Sequence, residues 1–348
     1  MRIAYISHVD SQWIKQRPHF MAESLRHDDD RVTYVCSLFV RRRLLVSSQR
    51  LRVPVLRVPL LPQRLRRLLR IFDAVASAIS ACLILFIVRP HIAVVTHSRH
   101  RYLASFLHRA GVRVFYDCMD LNGLFNDATV FDREDERKLV EIVDVVFCSS
   151  LAISEHIKGL QNLVVTKIVP NALHPASFER FFGRELSVQP GLVGYVGAIS
   201  SWFDFDSVLA LLDSNPNITV RLWGPCDVEV PQHERLHKMG VVPHEQAIEV
   251  MHNCAVLLLP FVLNDLILAV DPVKVYEYVS TGRPVIVRDY PQLLHFGSHV
   301  RRYETAAELV SRVEDALEEK GQNQTLISDF IRENSWEERA LLMKRVMS

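Results

Sequence analysis

No glycine stands in the first loop of the chain. The stretch SQWIKQRPHFMA, Ser11 to Ala22, follows RIAYIS, whose small and branched apolar residues predict an opening strand. A dinucleotide-binding turn needs glycines at that point, because only they let the backbone close around a pyrophosphate at a helix N-terminus, so a cofactor cradle of that kind is excluded there. No two of the six cysteines, Cys36, Cys82, Cys118, Cys148, Cys226 and Cys254, form a CxxC pair. Their scatter speaks against a zinc ribbon or a disulfide framework and predicts reduced thiols in a cytosolic protein. The chain opens directly on a strand, without a basic leader, an apolar stretch and a cleavage site, so no secretory signal is expected. Long low-complexity linkers and internal repeats are also missing.

What fills the first loop is side-chain chemistry: Trp13, Lys15, Arg17 and His19, with Pro18 where a first helical turn tolerates a missing N–H. At 348 residues, with 49% hydrophobic and 23% charged residues, the chain predicts two domains, each able to bury a core of its own. The net charge of +1 conceals an asymmetry. Residues 1–175 hold 25 Lys and Arg against 16 Asp and Glu, and the remainder holds 16 against 24. Much of the excess lies between Arg41 and Arg70, which carries ten arginines and no acid. Three readings suit such a segment: a solvated basic face, a surface for anionic lipid head groups or a polyanionic acceptor, and nucleic acid. The last ranks lowest, because the arginines are interleaved with Leu, Val and Pro and no nucleic-acid-binding module accompanies them.

IFDAVASAISACLILFIV, Ile71 to Val88, is barely long enough to cross a bilayer and carries Asp73 near one end. It reads better as a buried crossover helix that stops before Arg89 and Pro90 and feeds the strand HIAVVTH, with its N-terminal part around Leu65 to Ile71 able to lie on a membrane surface. Further strands are predicted over Arg2–Ser7, Val32–Leu38, Val53–Val58, Ile92–Thr96, Arg113–Asp117, Val143–Cys148 and Leu163–Val169. A second series starts with LVGYVGAIS and continues through a helix near Asp204 to Asp213, the strand ITVRLWG, the helix EQAIEVMHN, the strand AVLLLPF, the helix VKVYEYVSTG and the strand PVIVRD. The fold class is therefore α/β, with two Rossmann-like domains facing each other. Turn residues in VPNALHPASF put the boundary near Pro170 to Phe182, giving domains over 1–175 and 176–333. A C-terminal helix over 334–348 is expected to pack back onto the first.

VPNALHPASF, GYVGAISSWFDFDSVLALL, LWGP, GVVPHEQAIEVMHNCAVLLLPF, PVKVYEYVSTGRPVIV and ENSWEERALLM, in that order, resemble the C-terminal donor domain of GT-B glycosyltransferases. The likeness is to bacterial family 4-like enzymes and to xanthan-type glucuronosyltransferases. It is best over Val169 to Ile286 and weak across the basic segment. The resemblance implies a GT-B architecture with a cleft between the domains and a nucleoside-diphosphate sugar as donor. Lys274 is placed at the diphosphate and Glu277, one turn along the same helix, at the ribose hydroxyls. The residues around them, Val275 and Tyr276, belong to the same donor segment. Gly197 permits close backbone approach at a strand-to-helix turn, and Val242 and Pro243 line the nucleobase edge. For each of these a structural alternative stands beside it: an i,i+3 ion pair for Lys274 and Glu277, a tight turn for Gly197, a plain loop for Val242 and Pro243.

On the acceptor side, VRVFYDCMDLNGLF places Asp120 just beyond a strand end, where a carboxylate can take the proton of an acceptor hydroxyl; His19 is the reserve base. Trp13 suits a sugar face and Arg17 a phosphate or carboxylate. The sequence departs from the family pattern at Ala269, where retaining members usually carry an acid, and after the glycine turn, where AISSWFDF lacks the usual Arg or Lys. Charge for the phosphates then falls to Lys274 and also to Arg17 or Arg283, and inversion is slightly favoured. No DxD stands on a suitable loop, since Asp204 and Asp206 open a helix; no metal is expected. The reading is a glycosyltransferase acting on a lipid-linked or polysaccharide acceptor in cell-envelope or exopolysaccharide assembly, cytoplasmic and peripheral on the inner face of the membrane. A nucleotide-sugar 2-epimerase and a catalytically inactive glycan-binding or scaffold protein are the alternatives.

Overall fold

The computed structural model describes residues 1–13, 15–26, 30–38, 51–61, 70–121, 130–179, 181, 187–318 and 324–348. The chain divides into two compact units, Met1–Asn171 with Trp336–Ser348, and Ala172–Ser335.

The first unit holds seven strands: β1 (Arg2–Ile6), β2 (Arg31–Ser37), β3 (Val55–Val58), β4 (Ile92–Val95), β5 (Arg113–Cys118), β6 (Val145–Cys148) and β7 (Thr166–Ile168). They form one sheet in the order β3-β2-β1-β4-β5-β6-β7, parallel at every pairing. IAVV and VVFC are buried along their whole length, as strands covered on both faces must be. The helices are α1 (Arg17–Ser24), α2 (Arg70–Ile87), α3 (Arg101–Arg109), α4 (Val130–Val140) and α5 (Leu151–Leu160), and the unit is completed by the C-terminal helix described below.

The second unit repeats the plan with β8 (Gln189–Val196), β9 (Thr219–Trp223), β10 (Leu236–Gly240), β11 (Cys254–Leu259), β12 (Val285–Arg288) and β13 (Arg301–Tyr303). Its sheet runs β10-β9-β8-β11-β12-β13, again parallel. Between and after the strands come α6 (Ala176–Glu179), α7 (Phe205–Ser214), α8 (His244–Asn253), α9 (Asp265–Ala269), α10 (Val273–Val279), α11 (Ala306–Glu318) and α12 (Gln324–Glu333). Helix α13 (Trp336–Met347) belongs to the first unit. There the Trp336 ring stacks on Phe20 of α1, centroids 5.5 Å apart and 6° from parallel.

The α/β class and the two Rossmann-like sheets agree with the sequence reading. In both sheets the order reverses beside the first strand of the unit, between β1 and β4 and between β8 and β11. At such a switch point the connections diverge and leave a crevice at the carboxyl ends of the strands, where ligands collect. Two differences stand out. Strand β13 has no counterpart in the sequence reading, because its three residues are too few to display a period. Helix α2 feeds β4 as anticipated, but the expectation of a buried helix is corrected: only 28% of it lies inside the fold. Helix α3 packs on one side of it, and hydropathy alone does not say which. Of the ten arginines between Arg41 and Arg70, only Arg52, Arg57 and Arg70 lie within the described residues.

Candidate functional site

The second unit gathers most of the donor-side residues at the carboxyl edge of its sheet. Strand β8 ends at Val196, whose N–H donates to the Tyr278 hydroxyl at 2.7 Å, and that hydroxyl lies 3.2 Å from the Val196 carbonyl. The strand end is thus pinned to α10 just before Gly197, whose N–H donates to the Trp223 carbonyl at 2.7 Å. A Cβ on Gly197 would fall 1.6 Å from Cε, 2.7 Å from Cδ and 2.8 Å from Nζ of Lys274. The lysine stem therefore lies directly on the glycine backbone. Gly224, after the neighbouring strand β9, has φ +142°, and a Cβ there would meet the Gly197 carbonyl oxygen at 2.0 Å. Close backbone approach is a demand of the fold at both turns.

Burial pushes the Lys274 ammonium below its ordinary pKa, and Glu277 opposes the shift. A cation held so, half-buried beside one carboxylate, gains from a second anion. Glu277 accepts a hydrogen bond from His244 Nε2 at 2.9 Å. His244 opens α8 directly after Val242 and Pro243, so this contact brings the loop beyond β10 to the same place as α10. Sequence reasoning missed His244, which is 33 residues from its partner.

Val275 and Tyr276 face elsewhere. Both are fully buried, and the Tyr276 hydroxyl donates to Asp271 Oδ2 at 3.1 Å and lies 3.0 Å from His295 Nε2. The expectation that they serve the donor is corrected for their side chains: on a helix, neighbours of Lys274 and Glu277 in sequence point to another face. Arg283 donates through Nε to the His252 carbonyl at 2.8 Å, which ties it to α8 as a structural group. Ala269 is buried at the end of α9.

In the first unit one side chain of the opening loop, Arg17, reaches the end of β5. Arg17 is buried and binds Asp117 through Nη2 to Oδ1 at 2.8 Å and through Nε to the same oxygen at 3.1 Å. Its Nη1 reaches the Pro170 carbonyl and Asn171 Oδ1, both at 3.1 Å. The Tyr5 hydroxyl donates to Asp117 Oδ2 at 2.6 Å. Arg17, anticipated as a ligand for phosphate or carboxylate, is instead spent on a buried carboxylate of its own unit. His19 is buried too: Nδ1 accepts from the Gln16 N–H at 3.1 Å and Nε2 sits 3.0 Å from the Asp10 carbonyl. Burial lowers its pKa, and with both ring nitrogens engaged it caps α1 and has no lone pair left to serve as a base.

Asp120 stands two residues past β5 and is half-buried. Burial raises its pKa, with Arg17 opposing and Asp117 adding to the rise. A carboxylate of raised basicity at the carboxyl edge is suited to accept a proton. Trp13 is half-buried in the loop after β1, with its backbone N–H on the Asp10 carbonyl at 3.0 Å.

A polar cluster that the sequence did not single out lies at the switch point itself. His8 follows β1; its Nδ1 is 2.9 Å from Thr96 Oγ1, and its carbonyl accepts from Arg99 Nη2 at 2.6 Å. The His97 ring meets it edge-on at 5.1 Å. Burial, then the Arg99 and His19 charges, push His8 down to about 3, so it is neutral at physiological pH. The signal available in the sequence was position alone: THSRH follows the strand that pairs with β1.

No family model matches this sequence, and no curated protein matches it. Solved structures do. Sucrose-phosphate synthase from Thermosynechococcus elongatus aligns over 99% of this chain and 98% of its own with a TM-score of 0.71 at 13% identity. HepE from Anabaena, in complex with UDP, aligns over 100% and 99% with a TM-score of 0.68 at 12% identity. The lipopolysaccharide outer core galactosyltransferase WaaB, in its apo form, aligns over 99% and 100% with a TM-score of 0.69 at 13% identity. At these identities the likeness establishes the fold, which is GT-B, over the full length of the chain.

Proposed function

We propose that this chain is a glycosyltransferase that moves a sugar from a nucleoside-diphosphate sugar onto a lipid-linked or polysaccharide acceptor, working peripherally on the inner face of the cell membrane. One observation carries the reading: at the switch point of the second sheet, the Lys274 stem lies on the bare backbone of Gly197, one helical turn from Glu277. A nucleoside diphosphate asks for those three things, namely a surface with no side chain, a cation for the phosphates and a carboxylate for the ribose hydroxyls. The loop at Val242 and Pro243, drawn in by the hydrogen bond from His244 to Glu277, is suited to the nucleobase edge.

In the transfer, Lys274 neutralises charge that builds on the departing diphosphate, and Asp120 removes the proton from the acceptor hydroxyl as it attacks the anomeric carbon. A single displacement assisted by one base inverts configuration. Inversion is the outcome we favour, since Ala269 offers no carboxylate at the position where retaining relatives usually carry one. A similar structure is that of trehalose-6-phosphate synthase, which transfers with retention, so product stereochemistry is the informative measurement.

The test is a thermal-shift panel of UDP, GDP, TDP and ADP followed by donor hydrolysis. A ligand that binds only the folded state raises the melting temperature. One nucleotide raising it, with slow release of sugar from the matching donor, supports the assignment; a shift without any turnover favours the inactive glycan-binding protein, and no shift with any of the four refutes donor binding.

A further inference from the structure

Helix α2 is built inside out. With successive side chains turned by about 100° around a helix, Ile71, Phe72, Val75, Ile79, Phe86 and Ile87 fall within one arc of about 160°. Every one of them is exposed, Ile71 by 79%, Phe86 by 75% and Phe72 by 61%. The opposite arc, which is buried, carries Asp73, Ser77, Ser80, Ala81 and Ile84. A surface helix in water does the reverse, turning its apolar stripe inward and its small and polar residues outward. Contiguous exposed apolar surface of this kind marks a binding face.

Three further features decide what the face binds. Asp73, the only acid in the helix, is on the buried side, so no exposed position of α2 carries negative charge. Arg89 stands exposed just past its C-terminal end, where a long cationic side chain can reach lipid phosphates while the helix body lies deeper, whereas Arg70 at the other end pairs with Glu134 at 3.8 Å. The inward arc of Ser77, Ser80 and Ala81 is of the small-residue type that lets helices approach closely, and α2 packs against α3. With one side fixed to its own unit, the helix lies along the surface of that unit and is not free to stand across a bilayer.

We infer that α2 is a membrane-inserting face: it lies in the plane of an anionic bilayer, with Phe72, Ile79 and Phe86 below the head groups and Arg89 at the phosphates. This deepens the membrane-side acceptor proposed above and rests on that reading only for the purpose of the contact, since the contact itself stands on the exposed face.

The test is co-sedimentation of the full chain with vesicles of phosphatidylcholine and phosphatidylglycerol, comparing wild type with Phe72→Ser/Phe86→Ser. Both positions are exposed, so the variant should keep its melting temperature and its nucleotide-induced shift. Its partition into vesicles should fall by about ten-fold or more, because two large apolar side chains no longer leave water. High salt should weaken wild-type binding without abolishing it, since screening removes only the charged part. In an Ile79→Trp variant, lipids brominated in the acyl chain should quench the indole. Wild type that ignores vesicles, a double variant that sediments like wild type, resistance to carbonate extraction as for a spanning helix, or a wild-type dimer that the double substitution dissociates would each overturn the inference. Loss of nucleotide binding with vesicle binding intact would strike the transferase reading alone.

Discussion

Replacing Gly197 with Ala tests the donor site at its tightest point. The new Cβ would stand 1.6 Å from Lys274 Cε and 2.7 Å from Cδ, where carbon atoms settle at about 3.5 to 4.0 Å. The lysine stem must therefore shift by about 2 Å, carrying its ammonium away from the place it now holds. The fold should tolerate this, because what yields is a flexible side chain and the backbone at Gly197 is not in the left-handed region. A charge-assisted contact from the ammonium to a diphosphate oxygen contributes about 1.5 to 3 kcal/mol, so affinity for the nucleoside diphosphate should fall by roughly 10- to 150-fold. The nucleoside alone should bind nearly as before. Calorimetry with both ligands on Gly197→Ala, Lys274→Ala and the double variant makes a mutant cycle. If the alanine acts by displacing the lysine, the double variant binds no worse than Lys274→Ala. Full additivity would mean that the methyl blocks the ligand directly, and unchanged affinity in Gly197→Ala would refute the placement of Lys274 at the phosphates.

Glu277→Ala should weaken nucleoside and nucleoside diphosphate alike by about 10-fold or more through loss of charge-assisted ribose bonds, and equal calorimetric affinity to wild type would remove Glu277 from the site. Asp120→Asn should lower turnover by about 100-fold with donor affinity preserved. Because the folded pKa of Asp120 is raised, its charge costs stability above the unfolded value of about 3.9. The Asn variant should therefore unfold at higher urea than wild type at neutral pH and at the same urea in strong acid. A less stable variant at neutral pH would contradict the shift. Arg17→Met leaves Asp117 buried without its partner and should cost about 3 to 5 kcal/mol in urea unfolding of the first unit, with Arg17→Met/Asp117→Asn recovering part of it. A single variant as stable as wild type would show that the pair contributes nothing.

The two sheets were legible because a parallel strand covered on both faces writes itself as an apolar run, as in IAVV and CAVLLL, and because turns separate such runs. The donor segment was legible in part, since Lys274 and Glu277 lie one turn apart on a single helix and need no distant information. What the sequence could not disclose is long-range pairing. Nothing local says that Arg17 will be claimed by Asp117, 100 residues away, or that His244 will meet Glu277. Nor does a largely apolar stretch say which of its sides the fold will cover, and Ile71 to Val88 therefore reads as buried when one broad face of it is exposed. Asp120 could be placed by its strand, but the balance of burial, Asp117 and Arg17 around it depends on the fold.

The position of α13 has a consequence for how the molecule is made. The first unit is built from residues 1–171 and is completed by Trp336–Ser348. Arg339 Nε donates to the Asn171 carbonyl at 3.2 Å, Arg113 Nη1 to the Met347 carbonyl at 2.6 Å, and Lys344 pairs with Asp30 at 2.7 Å. On the ribosome the opening sheet emerges before the second unit, and the helix that covers Phe20 emerges after it. Domains that fold during synthesis ordinarily finish in the order in which they emerge; here the first unit waits for a helix made after the second. In the interval its α1 face is open to chaperones.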